Sequence, residues 1–250
     1  LLGMTCWILG YPDRAVREAE SALSEANALA HPLSQALALE RACSVFILNG
    51  SLDRAEAMAD ALASHADRHG LDVWRVLAAC GRAVVLVARG RLDTGLRLMS
   101  EMIAAFPREE FQVRHTGWRT RWAEALGLAG RYGEALVVIS KLMEEADARQ
   151  QSWCQSDLLC VKGHIHQARG ELGDIVSAEA AYRAAIARAN EQQALSWELR
   201  SAIGLARLWR SRGRIGEARD LITPIYARFT EGFDTLDLAI AREFVSSPAS

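Results

Sequence analysis

Six glycines recur along this chain at an almost constant distance, and their spacing constrains the fold more than any other feature. Each glycine ends an apolar run, and successive glycines are 40, 40, 40, 40 and 43 residues apart. The six are Gly10, Gly50, Gly90, Gly130, Gly170 and Gly213. A fixed period of this length is typical of repeat architectures, in which each repeat is one supersecondary unit. The sequence therefore predicts six copies of one unit.

A second helix is predicted to follow each glycine. Small residues open it at Ala15, Ala55, Gly95, Ala135, Ala178 and Ala218. From each opening, mostly apolar residues recur at offsets 0, 3, 4, 7, 8 and 11, which places them on one helical face. In the fourth copy they are Ala135, Val138, Ile139, Leu142, Met143 and Ala146. The three extra residues of the fifth copy lie between Gly170 and Ala178, so the insertion is predicted to lie in a turn.

The residues before each glycine predict the first helix of a pair. Seven positions before the glycines every residue is small, as a close helix crossing requires: Gly3, Cys43, Ala83, Ala123, Gly163 and Ala206. Four positions before, large residues such as Phe46 and Trp209 are common. Alternating β-branched runs that would indicate strands are absent. A helix pair cannot bury its apolar stripe alone, so neighbouring pairs are predicted to stack in an all-α fold.

Small and then large residues, followed by Gly-x-x-x-x-Ala, resemble the tetratricopeptide repeat (TPR). The resemblance implies a right-handed α–α superhelix, a TPR-like solenoid of about six helix pairs with a C-terminal capping helix. The period of about 40 residues exceeds the family's 34 and implies longer helices. We expect a single domain over residues 1–250. Its repeats are predicted at about 1–30, 31–70, 71–109, 110–150, 151–193 and 194–232, with the cap at 233–250.

Two longer stretches resemble a more specific group. "WILGYPDRA" and "LARLWRSRGRIGEARDLITPIYARFTEGFDTLDLAIA" are similar to the C-terminal region of large bacterial regulators with a predicted STAND-type ATPase. In that group a winged-helix DNA-binding domain or an adenylate cyclase domain precedes the ATPase. Only nine residues precede Gly10, against about 17 in the first helix of later copies, so we expect a fragment of a larger protein. No phosphate-binding loop with a Gly-Lys pair occurs in the sequence.

Composition narrows the remaining classes. A net charge of −2 gives no general attraction to nucleic acid or anionic lipid. No apolar run approaches the ~20 residues of a membrane span. Five scattered cysteines favour a reducing, cytoplasmic compartment over a disulfide framework. We therefore expect a cytoplasmic protein whose present chain makes no direct nucleic-acid or membrane contact, with homo-oligomer formation left open.

Candidate chemistry is sparse. Cys154, Cys160, His164 and His166 form the densest cluster of metal-ligating side chains, and Cys160 and His164 share a helix face. We favour packing roles for them, because a fourth ligand would have to come from another repeat. No Gly-x-Ser-x-Gly elbow occurs, and regular spacing leaves no long loop for a catalytic apparatus. No catalytic residue, cofactor or metal is predicted.

The predicted binding surface is the concave groove that the TPR resemblance implies, lined by first-helix residues ten, six and three positions before each glycine. The candidates are Glu40, Ser44, Val84, Val87, Thr120, Glu124, His164, Gln167, Arg207 and Arg210, with Arg200 at thirteen before. The groove is apolar in the third copy and basic in the sixth. The basic end either clamps a carboxylate or phosphate, or its arginines cover apolar surface beside the cap.

Three hypotheses for function follow. The preferred one is a non-catalytic scaffold that binds a peptide, a protein or a small effector in the groove. It would be the sensor or interaction region of a signal-transduction or transcriptional regulator and would bias the upstream domains of the same chain. The alternatives are a free-standing TPR adaptor or oligomerisation scaffold, and the regulatory region of an adenylate cyclase.

Overall fold

The structure is a computed structural model that describes residues 2–105 and 112–246. Within these ranges it contains thirteen α-helices, one short 3-10 turn and no β-strand, so the predicted all-α class is confirmed. None of the helices it describes has the length and apolar character needed to cross a membrane. The predicted boundary at 109 and 110 and the last predicted cap residues, 247–250, lie outside the described residues.

The helices follow the order that the repeat predicts. In chain order they are α1 Leu2–Ile8, α2 Pro12–Leu29, α3 Pro32–Leu48, α4 Leu52–His69, α5 Asp72–Ala88, α6 Leu92–Ala105, α7 Gln112–Leu128, α8 Tyr132–Ala148, α9 Gln155–Arg169, α10 Asp174–Glu191, α11 Leu195–Arg210, α12 Ile215–Tyr226 and α13 Leu236–Ser246. Odd-numbered helices up to α11 are the first, or A, helices of the pairs. Even-numbered helices are the second, or B, helices, and α13 follows the last pair.

The six repeating glycines all have the backbone conformation that made them a turn signal. Their φ angles lie between +67° at Gly170 and +93° at Gly10, in the left-handed region where a Cβ is disfavoured. In five of the six turns, the N–H after the glycine donates to a carbonyl five residues earlier, as from Ser51 to Phe46. This bond closes the C-terminal turn of the A helix. The predicted glycine turns are thus confirmed.

The close crossing of A and B helices also lies where the small residues predict it. A Cβ added to Gly3 would lie 3.0 Å from the carbonyl oxygen of Ala15. In the second pair the Cys43 thiol donates to the Ala55 carbonyl at 3.4 Å. In the third pair a Cβ on Gly95 would lie 3.0 Å from the Ala83 oxygen, so glycine replaces alanine there.

Packing groups the chain into two compact units. Unit 1 comprises Leu1–Trp7 and Tyr11–Trp118, and unit 2 comprises Ile8–Gly10 and Arg119–Ser250. Within each unit most consecutive helices pack on one another. Two A helices also contact the A helix of the next repeat, since α3 contacts α5 and α9 contacts α11. This second contact stacks one pair on the next.

Unit 2 contains the inserted turn and the last helix. Helix α10 begins four residues after Gly170, whereas other B helices begin two residues after their glycine, so the insertion lies in the A–B turn as predicted. Helix α13 packs against α11 and α12. Its Leu238, Ala241 and Phe244 are buried in the core of this unit. Helix α13 thereby covers apolar surface of the last pair.

Candidate functional site

The predicted groove residues differ in how deeply they are buried. All five residues ten positions before a glycine are buried: Glu40, Cys80, Thr120, Cys160 and Ile203. Glu40 is 3% and Thr120 is 1% exposed. These positions lie in the packing of the interior, so Glu40 and Thr120 are inaccessible to a ligand, contrary to the expectation that they line a groove. Positions six and three before the glycine remain to form an accessible face.

In unit 1 this accessible face carries little polar chemistry. Ser44 and Val87 are half-buried, while Val84 is 9% exposed. The Ser44 hydroxyl donates to the Glu40 carboxylate at 3.4 Å. Burial, and secondarily the Glu40 charge, raises the pKa of the Cys43 and Cys80 thiols to about 12. This region is therefore predominantly core.

A recess in unit 1 lies between α1, α2 and α3, away from the predicted binding residues. It measures about 250 Å³. Its lining is Leu2, Gly3, Met4, Glu18, Ala19, Ser21, Ala22, Glu25, Ala38, Arg41, Ala42 and Val45. Arg41 is committed to the protein itself, since its Nη1 contacts Met4 Sδ at 3.2 Å and its Nε lies 3.3 Å from Glu40. Its lining is mostly small and apolar, with Glu18, Glu25 and Arg41 as its charged members.

In unit 2 the A helices bring charged side chains together. We call this set the polar face of unit 2: Arg121, Glu124, Asp157, His164, Gln167, Arg200 and Arg207. The Arg121 guanidinium bridges two helices, because it donates to Glu124 at 2.8 Å and to Asp157 of α9 at 2.5 Å. All three side chains are at most 30% exposed, so solvent screens this network less than it screens a surface pair.

The Glu124 carboxylate is held ionised. Burial alone would raise its pKa, but the charges of Arg121, His164 and Arg200 hold the pKa of Glu124 below its ordinary value. One of its oxygens accepts from Arg121, and the other, Oε1, lies 3.9 Å from His164 Nδ1. That second oxygen is a hydrogen-bond acceptor on a partly exposed surface.

Three neighbouring side chains in this region are of the types found in a catalytic triad, with a thiol, an imidazole and a carboxylate in spatial order: Cys160, His164 and Glu124. Cys160 Sγ lies 3.9 Å from His164 Nε2. Burial raises the pKa of the Cys160 thiol to about 12, and the thiol is only 2% exposed. Desolvation lowers the pKa of His164, and nearby arginines add to this effect while Glu124 opposes it. A buried, protonated thiol is a poor nucleophile, so this arrangement favours packing and binding over attack.

The three predicted arginines of α11 have different fates. Arg200 pairs with Asp237 of α13, its Nη2 lying 2.6 Å from the carboxylate. The Arg210 guanidinium carbon lies 4.4 Å from the centre of the Phe244 ring, also on α13. Arg207 is exposed, and no carboxylate among the described residues lies within ion-pair distance of it. Arg200 and Arg210 therefore contact the last helix, α13. Of the predicted basic end of the groove, only Arg207 has no such contact among the described residues.

Tyr182 is the component that sequence reasoning missed. It belongs to a B helix, α10, and is fully buried, yet its hydroxyl donates to Gln167 Oε1 on the polar face at 2.8 Å. Its ring lies between α9 and α11, where Gly163 and Gly204 leave room. A Cβ on either glycine would lie 2.6 or 2.5 Å from the ring carbon Cε1. Gly163 and Gly204 are the sequence signal for this gap, although the repeat pattern predicts only a close helix crossing at Gly163.

The remaining soft ligands are committed to local structure. His166 Nδ1 lies 2.7 Å from the Asp174 carboxylate, and the Cys154 thiol donates to the Gln151 carbonyl at 3.3 Å. In the part of the chain that the structure describes, no three His, Cys, Asp or Glu side chains are arranged to hold a metal ion.

Comparison with known families gives two matches. Residues 76–101 and 199–222 each match a tetratricopeptide repeat model. Each match runs from an A helix into the following B helix, α5 to α6 and α11 to α12. The chain forms a TPR-like repeat domain. TPR-like repeat domains are generally non-catalytic and bind proteins or peptides. No curated protein matches the chain.

Proposed function

We propose that this TPR-like domain is a non-catalytic interaction scaffold and that the polar face of unit 2 is its binding surface for a peptide, a protein or a small effector. The observation that carries the proposal is the convergence of partly exposed charged and amide side chains from three successive A helices. Glu124, His164 and Arg207 occupy the same position of their repeats, six before the glycine. In the second repeat this position is Ser44, and in the third it is the buried Val84.

The polar face offers both donors and acceptors, which suits a peptide. Glu124 Oε1 is available as an acceptor, and Arg207 and the Gln167 amide are available as donors. An extended peptide alternates N–H and C=O groups, and a few oriented polar contacts of this kind determine its register. The Arg121–Glu124–Asp157 network fixes the acceptor before binding, so less ordering entropy is lost on association.

We further propose that the domain is the sensor or interaction region of a larger cytoplasmic bacterial regulator. The support is the similarity of its first and last repeats to the C-terminal region of STAND-type regulators. Binding at the polar face would then favour one conformation of the neighbouring ATPase and output domains. This role predicts that the polar face and the output of the full-length regulator are energetically coupled.

A peptide selection tests the binding surface. A random dodecapeptide library displayed on phage is selected against the 250-residue protein, and the affinity of each selected peptide is measured by fluorescence anisotropy. Removing one charged or hydrogen-bonding contact costs about tenfold in affinity. Glu124→Gln and His164→Asn should each weaken selected peptides by about this factor.

Ser44→Ala is the matched control, since Ser44 occupies the same repeat position in unit 1. It should leave the affinity of the same peptides unchanged. Circular dichroism and urea unfolding of each variant establish that the fold is retained. Peptides that bind both unit 2 variants as tightly as the parent protein would contradict the proposed surface.

A further inference from the structure

The arginines of α11 differ in whether another protein group already holds them. Arg200 is paired with Asp237, and Arg210 lies over Phe244. Arg207 is exposed and has no carboxylate in ion-pair distance among the described residues. An uncommitted guanidinium retains its planar fork of donors, which matches a carboxylate or a phosphate.

The Gln167 amide adds a second donor, and Tyr182 sets its orientation. The buried Tyr182 hydroxyl donates to Gln167 Oε1 at 2.8 Å. With the amide reversed, the tyrosine oxygen would accept from the NH₂ group, and the buried O–H would lose the one acceptor it has among the described residues. The oxygen of Gln167 therefore faces the tyrosine, and the NH₂ group is left for a ligand.

The position of Tyr182 is itself fixed by packing. Its ring fills the gap between Gly163 and Gly204, and it packs directly against the backbone of both glycines. The His164 ring lies edge-on to it, at 5.5 Å between centroids. A side chain held on three sides keeps its hydroxyl in place, so the Gln167 amide is oriented before a ligand arrives.

Arg207 follows Gly204 by about one helical turn on α11, and Gly204 packs against the Tyr182 ring. Its positive charge opposes the burial that raises the pKa of Tyr182, and it contributes to lowering the pKa of His164. Arg207 and Gln167 thus both lie beside Tyr182, where α9 and α11 meet.

We infer that Gln167 and Arg207 form a subsite for an anionic group, a carboxylate or a phosphate, and that Tyr182 is its positioning residue. The inference rests on the proposed function and adds the chemistry of the ligand to it. The anionic group would belong to the bound peptide or small effector. Arg207 supplies charge and a fork of donors, and the Gln167 amide supplies one further N–H.

The test is an NMR titration of the whole 250-residue protein with two probes, inorganic phosphate and acetate, at constant ionic strength in chloride. The signals followed are the Arg207 Nε–H and the Gln167 side-chain amide. The inference predicts saturable shifts of both signals, and the probe that saturates at lower concentration identifies phosphate or carboxylate as the preferred group.

Arg207→Gln should weaken the preferred probe by about tenfold, and Tyr182→Phe by about threefold, as expected for a charged and a neutral hydrogen bond. Arg210→Gln is the matched control, because it removes the same charge one turn away on the same helix. It should leave binding unchanged. Equal losses in Arg207→Gln and Arg210→Gln, or shifts that never saturate, would overturn the subsite. Unchanged binding in Tyr182→Phe would remove the positioning role.

The outcome is separable from that of the proposed function. If the probes fail to bind while Glu124→Gln and His164→Asn still weaken the selected peptides, the anionic subsite is wrong and the binding surface stands. If the probes bind through Arg207 while Glu124→Gln and His164→Asn leave the affinity of the selected peptides unchanged, the subsite stands and the proposed peptide surface is wrong.

Discussion

Units 1 and 2 use the same repeat positions for different purposes. In unit 1, glycine brings A helices together over sulfur, since a Cβ on Gly81 would lie 2.8 Å from Cys43 Sγ. In unit 2, Gly163 and Gly204 instead admit the ring of Tyr182. In unit 1 the A helices therefore pack directly on one another. In unit 2 the Tyr182 ring lies between them, and its hydroxyl reaches Gln167 on the polar face. The residues that fill the gaps therefore distinguish the apolar A-helix layer of unit 1 from the polar face of unit 2.

The largest expected effect comes from filling the gap in unit 2. Gly163→Val places a side chain within 3 Å of the Tyr182 ring, which is fully buried and cannot move aside. Overpacking of this kind costs about 3 kcal/mol of unfolding free energy. Urea unfolding followed by circular dichroism measures it. Tyr182→Leu in the same chain should recover part of the loss if the clash is with the ring.

Gly216→Ala is the control for this comparison. A Cβ at Gly216 meets nothing within 4 Å, and the residue lies in the first turn of α12. The substitution should raise the unfolding free energy by about 0.4–1 kcal/mol, because alanine loses less backbone entropy on folding than glycine. A loss there as large as in Gly163→Val would mean that the Tyr182 gap is not what distinguishes unit 2.

A smaller effect is expected at the inserted turn of unit 2. Asp174 is 2% exposed and accepts from Arg169 at 2.6 and 2.7 Å, from the Glu171 N–H at 2.9 Å and from His166. These donors, Arg169 first, hold the pKa of Asp174 well below its ordinary value. Asp174→Asn should lower the unfolding free energy at pH 7 by about 2 kcal/mol, the scale of hydrogen bonds to a charged group.

The contribution of Asp174 to the unfolding free energy should depend on pH. A carboxyl whose pKa is lower in the folded state stabilises the fold above its unfolded pKa, near 4. That contribution is lost as pH falls below about 4 towards the folded pKa. The gap between the parent and Asp174→Asn should therefore narrow below pH 4 in urea unfolding at successive pH values. A gap that is constant down to pH 2 would contradict the ionic role.

Thiol labelling compares how readily units 1 and 2 expose their buried cysteines, without any substitution. Cys43 and Cys80 report on unit 1 and Cys160 on unit 2, and burial raises the pKa of all three from 9.0 to about 12. At pH 8 their thiolate fraction falls about 1000-fold. Iodoacetamide should therefore label the folded protein at least ~100-fold more slowly than the urea-unfolded chain, site by site in mass spectrometry. Fast labelling of Cys160 alone would mean that unit 2 opens first.

The smallest effect is expected at exposed ion pairs. The Arg131 guanidinium lies 2.6 Å from Glu134, three residues on, and both side chains are largely solvated. Solvent and salt screen such a pair, so Arg131→Gln should leave the urea midpoint unchanged within error. A clear loss would show that surface pairs, and not only the buried contacts of unit 2, hold this region.

The residues of the polar face of unit 2 were predicted only in part. His164, Gln167, Glu124 and Arg207 were placed on one face by their repeat positions, whereas Arg121 and Tyr182 were not. Arg121 sits one residue from a predicted position and reaches Asp157 in the next repeat, 36 residues on. Its long side chain, and not its helical phase, determines its partner. Spacing along one helix predicts a face, but it does not predict which residue of the neighbouring helix a side chain meets.

The sequence by itself determined the helix pairs, the glycine corners and the close crossings, because these depend on backbone conformation and on contacts repeated in every copy. A left-handed φ at Gly50 or a small residue at Gly3 has the same meaning wherever it occurs. Only the tertiary structure decided that Arg200 and Arg210 hold the last helix and that Glu40 is buried. These outcomes depend on the length and packing of side chains that meet once, between elements far apart in the sequence.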